Sequence, residues 1–142
     1  MKFKSLFSAS RHGLLSDLAL LLLRIVAGAA FALHGWPKIQ KPFSWMGPDA
    51  FAPGALQALA ALSEFGGGIA WMLGLLTPLA SLGIASTMAV AFWLHAVMKG
   101  DPFVSNGGAS YELAAVYFCI SVLLLVMGPG RVSLDRKLFG AR

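Results

Sequence analysis

The stretch DLALLLLRIVAGAAFALHGW, residues 17–36, is apolar along its length except at its acidic start and at Arg24 and His34, and its reading decides the fold. About 20 mostly apolar residues in a helix cross the roughly 30 Å hydrocarbon layer of a bilayer, so this stretch is a membrane span. Working outward, three further stretches of the same character can be cut, at residues 55–76, 79–98 and 111–127. Hydrophobic residues make up 58% of the 142-residue chain and charged residues only 12%, which is a membrane composition rather than a soluble one. The expected fold is therefore all-α: one integral membrane domain, residues 1–142, forming an antiparallel four-helix bundle with loops at 37–54 and 99–110. Little chain remains for a separate soluble domain, so any chemistry must lie in the bundle, at its rims or on a partner.

The net charge of +5 does not point to nucleic acid, because the basic residues are not gathered with aromatics on one face. Lys2, Lys4 and Arg11 precede the first span and Arg131, Arg136, Lys137 and Arg142 follow the last, against Lys38, Lys41 and Lys99 in the loops. By the positive-inside rule both termini are expected in the cytoplasm, with the protein multi-pass in the inner (plasma) membrane. Ala30-Phe31-Ala32 resembles a signal-peptidase site, but Arg24 interrupts the apolar run that a cleaved leader requires. A single cysteine, Cys119, excludes an internal disulfide or dithiol relay.

The first loop is rich in proline and carries Phe43, Trp45 and Phe51, aromatics expected at the membrane interface. Thr77-Pro78 reads as the whole connection between the second and third spans, which makes them a hairpin. Gly100-Asp101-Pro102 and Asn106-Gly107-Gly108 are turn signals. Residues 132–139 read as a short amphipathic tail whose Arg136 and Lys137 face anionic headgroups. Gly66, Ala70 and Gly74, with Ser81, Ala85 and Ala89, form small-residue stripes expected to pack helices closely.

Ionisable residues inside spans are costly and mark function by default. At 100° per residue Arg24, Gly28, Phe31, Gly35 and Lys38 share one face of the first span, with His34 on its flank; Glu64, Gly67, Gly68, Trp71 and Leu75 share a face of the second. Counting about 1.5 Å of rise per residue brings Arg24 and Glu64 to within about 5 Å in depth, so a buried Arg24–Glu64 pair is the expected structural core of the site. His34 and His95 come out at matching depth near the outer surface, with Lys38 and Glu112 at the rim. The expected cavity is open outward, walled by His34 and His95, floored by Arg24–Glu64, with Tyr111 a further lining candidate. Each residue also has a purely structural reading. The pair fixes helix register, Lys38 snorkels, Glu112 stabilises the start of the fourth span, and the histidines sit at the interface. No closely spaced ligand set such as His-x3-His occurs, so no metal site is expected.

The run Leu21-Leu22-Leu23-Arg24-Ile25-Val26-Ala27-Gly28, followed by Phe31, His34-Gly35 and Lys38, then Glu64, Gly67-Gly68 and Leu75-Leu76-Thr77-Pro78, closely resembles the DoxX family of small four-span membrane proteins. Asn106-Gly107-Gly108, Tyr111-Glu112-Leu113, Gly128-Pro129-Gly130 and Ser133-Leu134-Asp135 extend the likeness over nearly the whole chain. The resemblance implies a four-helix membrane bundle associated with quinone-linked respiratory or sulfur oxidation and with membrane oxidoreductase complexes; it fixes no reaction. The chain carries no nucleotide motif and no dithiol, so a redox role needs a membrane or peripheral partner protein besides the bilayer itself. Three readings stand: a quinone-linked redox component holding a quinone or small amphipathic ligand in its pocket, a non-catalytic anchor or assembly subunit, and a small-solute or proton conduit. All three leave room for a homo-oligomer, and none requires that the chain be an enzyme by itself.

Overall fold

In the computed structural model, residues 7–9 and 13–140 are described. Lys2, Lys4, Arg11 and Arg142, which contributed to the topology argument, lie outside them. The architecture is helical: α1 (Leu14–Ile39), α2 (Gly54–Leu73), α3 (Thr77–Trp93), α4 (Glu112–Met127) and a short α5 (Leu134–Phe139). α3 continues through one wide turn, Leu94–Met98. α1, α2 and the 22 residues of Thr77–Met98 are long and apolar enough to cross a membrane. α4 is shorter, at 16 residues, yet carries no charge after Glu112, and its one serine, Ser121, donates to Tyr117 O within the helix at 2.7 Å.

α1 packs against α2, α2 against α3 and α3 against α4, each antiparallel to its neighbour in the chain. Phe31 on α1 closes the ring by an edge-on contact with Tyr117 on α4, centroids 4.8 Å apart, and meets Trp71 on α2 at 5.6 Å. Trp71 is fully buried and donates its indole N–H to Ser81 Oγ on α3 at 3.0 Å, which satisfies the one polar atom a buried tryptophan brings. Leu20, Ala27, Ile84, Met88 and Leu124 complete the core, while most other large apolar side chains face outward, as they must in lipid. Ala9 N–H donates to Gly140 O and Phe7 stacks on Phe139, so residues 7–9 meet the C-terminal side of α5 at one end of the bundle.

Helix limits differ from the sequence reading in two places. Pro37 was expected in the loop but lies in the last turn of α1, where a missing N–H costs a single bond. The hairpin between α2 and α3 turns at Gly74, Leu75 and Leu76, whereas Thr77 and Pro78 already belong to α3. The reason is local: Gly74 adopts φ +63° as the left-handed residue that ends α2, and Leu75 N–H reaches back to Ala70 O. Proline suits the first turn of a helix, where no N–H bond is lost.

The closest helix approach is also not where the small-residue stripes placed it. A methyl at Gly28 or Gly68 would strike the backbone of the facing helix at 2.6 Å, and one at Gly35 would run into the Phe65 backbone. These three glycines seat α1 on α2. Gly66 and Ala70 instead line open space between α2 and α3, and Ala89 is exposed.

Candidate functional site

The polar residues divide between the two ends of the bundle, and direction along each helix decides which goes where. A helical side chain leans toward its own N-terminus, so residues at equal depth on antiparallel helices lean apart. Arg24 leans toward the end where residues 7–9 meet α5. There its Nε donates to Trp71 O at 3.0 Å, its Nη2 to Val132 O at 2.9 Å and its Nη1 to Pro129 O. Glu64 leans the opposite way and is met by Lys38, whose Nζ lies 2.6 Å from both carboxylate oxygens. The expected Arg24–Glu64 pair therefore does not form. Similar depth was a necessary condition for it, and opposed side-chain direction removes it.

At the terminal end Arg24 is 1% exposed and holds together the last turn of α2 and the segment after α4. Its positive charge sits at the carbonyl end of α2, where a cation is favoured. Two carboxylates that the sequence reading passed over complete this end. Asp17 is buried on α1, takes the Arg131 amide at 2.9 Å and pairs with the Arg131 guanidinium at 2.9 Å. Asp135, 0% exposed, accepts from the amides of Leu76 and Thr77 at 2.6 and 2.8 Å, while its own N–H donates to Gly74 O. The tail is thus locked inward through Asp135 rather than lying only along a surface through Arg136 and Lys137. A buried acid one residue into a short helix, after Ser133 as its cap, was the available signal.

At the other end lies a cavity of about 550 Å³ between α2, α3 and the first loop. Lys38, Glu64 and His95 line it, with Trp45, Gln57, Ser63 and Thr87 among a predominantly apolar wall. Gln57 fastens the loop over the cavity: its Oε1 accepts from Met46 N–H, its Nε2 donates to Ala52 O, and its backbone carbonyl accepts from Trp45 Nε1, all at 2.9–3.0 Å. Trp45 in turn sits under Lys38 Nζ, 4.5 Å from the ring centroid. The Lys38 cation thus has a carboxylate on one side and an aromatic face on another.

His95 lies in the wide turn Leu94–Met98, where Lys99 N–H reaches Leu94 O five residues back. Such turns displace side chains from ordinary helical register and recur at functional sites. Asp101, expected only as part of a turn, contacts His95 Nδ1 at 2.6 Å, and its N–H bonds to His95 O. A carboxylate at Nδ1 places the proton there and leaves Nε2 as an acceptor in the neutral ring.

The remaining candidates are elsewhere. His34 is exposed on α1 and does not line the cavity, because Gly35 is the residue that faces α2 at that level. Glu112 stands half-buried in the first turn of α4, where a carboxylate favours the helix dipole, and Tyr111 packs between Phe92 and Phe103; neither reaches the cavity. Among the described residues no three His, Cys, Asp or Glu side chains converge as a metal site.

Residues 19–96 match the family model described as DoxX. The chain is also similar to the inner membrane protein YqjF of Escherichia coli (strain K12), 33% identical over 134 residues that cover 87% of this chain and 95% of the relative. No solved structure matches.

Proposed function

This chain belongs to the DoxX family of multi-pass inner-membrane proteins, and from that membership we propose that it is a quinone-linked redox component whose cavity holds the headgroup of a neutral amphiphile of the quinone class. One observation carries the reading: the Lys38–Glu64 ion pair and His95, held at Nδ1 by Asp101, converge on one mainly apolar cavity of ligand size. Because the Lys38 cation faces the Glu64 carboxylate and the neutral His95 ring carries no charge, the lining of the cavity offers no uncompensated charge among the described residues. A dipolar headgroup with carbonyl or hydroxyl oxygens suits it better than a phosphate or an ammonium. Lys38 retains a third N–H for a carbonyl oxygen, and His95 Nε2 accepts from a hydroxyl. Asp101 positions the imidazole without touching the ligand. Electrons are exchanged with a partner protein, and with both termini cytoplasmic the cavity opens to the outer side of the membrane.

Calorimetric titration of the purified protein with a water-soluble benzoquinone tests this. Wild type should bind saturably, and Lys38→Met or His95→Ala should each weaken binding at least tenfold. Asp101→Asn should weaken it less, since it only frees the ring. Absence of saturable binding to wild type rejects the reading.

A further inference from the structure

Resting on that headgroup reading, we propose that the ligand carries a linear apolar chain, which lies in a trough between α2 and α3 and enters the site sideways from the membrane. Below the polar cavity a second space of about 510 Å³ runs between the same two helices toward the Gly74 hairpin. The two adjoin, with Ser63, Gly83 and Ser86 lining both, and Ser63 packs on Gly83 between them, where an added methyl would meet its Oγ at 2.9 Å. The polar content changes along the way. The upper space has Lys38, Glu64 and His95, and the lower has no ionisable residue. Of its hydroxyls, Ser86 is already donated to Leu82 O at 2.9 Å.

From Leu56 in the upper space to Ala70 in the lower, α2 rises about 21 Å, most of the way across a core about 30 Å thick. A headgroup at one rim with its chain directed toward the bilayer interior is the orientation a lipid of that leaflet already has. Entry then needs no inversion. The side of the trough is open: Leu59, Leu62, Leu79 and Leu82 flank it and are each more than half exposed. α1 and α4 pack on the other faces of α2 and α3 and do not cover it. The gap is held by structure rather than by chance. The Trp71–Ser81 bond ties the helices at one level, and Ile84 fills the space over Gly67, where an added methyl would meet it at 3.0 Å. Small side chains at Gly66, Ala70 and Ala80 then leave the remainder unfilled, and an empty slot of that size forfeits dispersion contacts that a hydrocarbon chain restores.

The test is a benzoquinone bearing a decyl chain with a terminal diazirine, photolysed with the full-length protein in lipid nanodiscs and mapped by peptide mass spectrometry. The label should concentrate on residues 62–70 and 79–83, and an excess of the same ring bearing only a methyl group should displace it. Ala70→Leu and Ala80→Leu, which plug the trough from either wall, should each cut that labelling at least tenfold while calorimetric binding of the methyl ring persists, which reports an intact fold. Labelling spread over all lipid-facing surfaces, or labelling that neither the ring nor the plugs reduce, overturns the chain site while leaving the headgroup reading standing. Failure of wild type to bind the methyl ring at all overturns both.

Discussion

Lys38 and Glu64, 26 residues apart, form a two-pronged ion pair across α1 and α2, with Nζ 2.6 Å from each carboxylate oxygen. The carboxylate is 4% exposed and the lysine 25%, so the pair is closed on the protein side and open on the cavity side. Breaking a fully buried pair costs about 3–5 kcal/mol, and partial exposure reduces this, so Lys38→Met or Glu64→Leu alone should destabilise by about 1–3 kcal/mol. The double variant should cost less than the sum, with a coupling of about 1–2 kcal/mol in a denaturation cycle in detergent.

Arg24 is a separate structural unit. Arg24→Leu strips three carbonyls, at Trp71, Pro129 and Val132, of their donors and should cost about 3 kcal/mol or more. Adding Glu64→Leu should not rescue it, and the two losses should add to within about 0.5 kcal/mol. Compensation would mean that the two residues do interact.

Asp135 joins the tail to the hairpin by accepting two backbone amides at the start of α3. Asp135→Ala should destabilise by about 2–3 kcal/mol, since buried donors are left unpaired. Hydrogen exchange should show the Leu76 and Thr77 amides losing protection, and limited proteolysis should cut the tail faster. Asp135→Asn, which keeps an acceptor, should fall between.

Gly35 has no room for a methyl group against the Phe65 backbone. Gly35→Ala should push α1 from α2 and cost about 1–3 kcal/mol, the usual range for overpacking a tight contact. Gly13→Ala, where nothing lies within 4 Å, is the control and should be silent.

The face of each helix was legible in the sequence. Spacing alone put Arg24, Gly28, Phe31 and Gly35 inward on α1 and Glu64, Gly67, Gly68 and Trp71 inward on α2, and these are buried. Partners were not legible. Depth along an axis ignores that side chains lean toward their own N-terminus, and this lean sends Arg24 to backbone carbonyls and Glu64 to Lys38. Asp101 and Asp135 were hidden because each acts on a residue brought near by a turn or a tail, and neither has a periodic signature.

Composition and hydropathy by themselves determined a helical membrane bundle, because unbroken apolar runs of about 20 residues satisfy their backbone in lipid as helices, whereas a closed barrel needs short strands of alternating polarity. The shortness of the connection, read at Thr77-Pro78 and found at Gly74, Leu75 and Leu76, likewise determined that α2 and α3 run antiparallel. Only the tertiary structure decided how the charges pair, where His95 points, and that the small residues of α2 and α3 border an open trough instead of a sealed seam. Those outcomes depend on side-chain direction and on ångström-scale separation between helices, and both are set by which glycines meet which backbones.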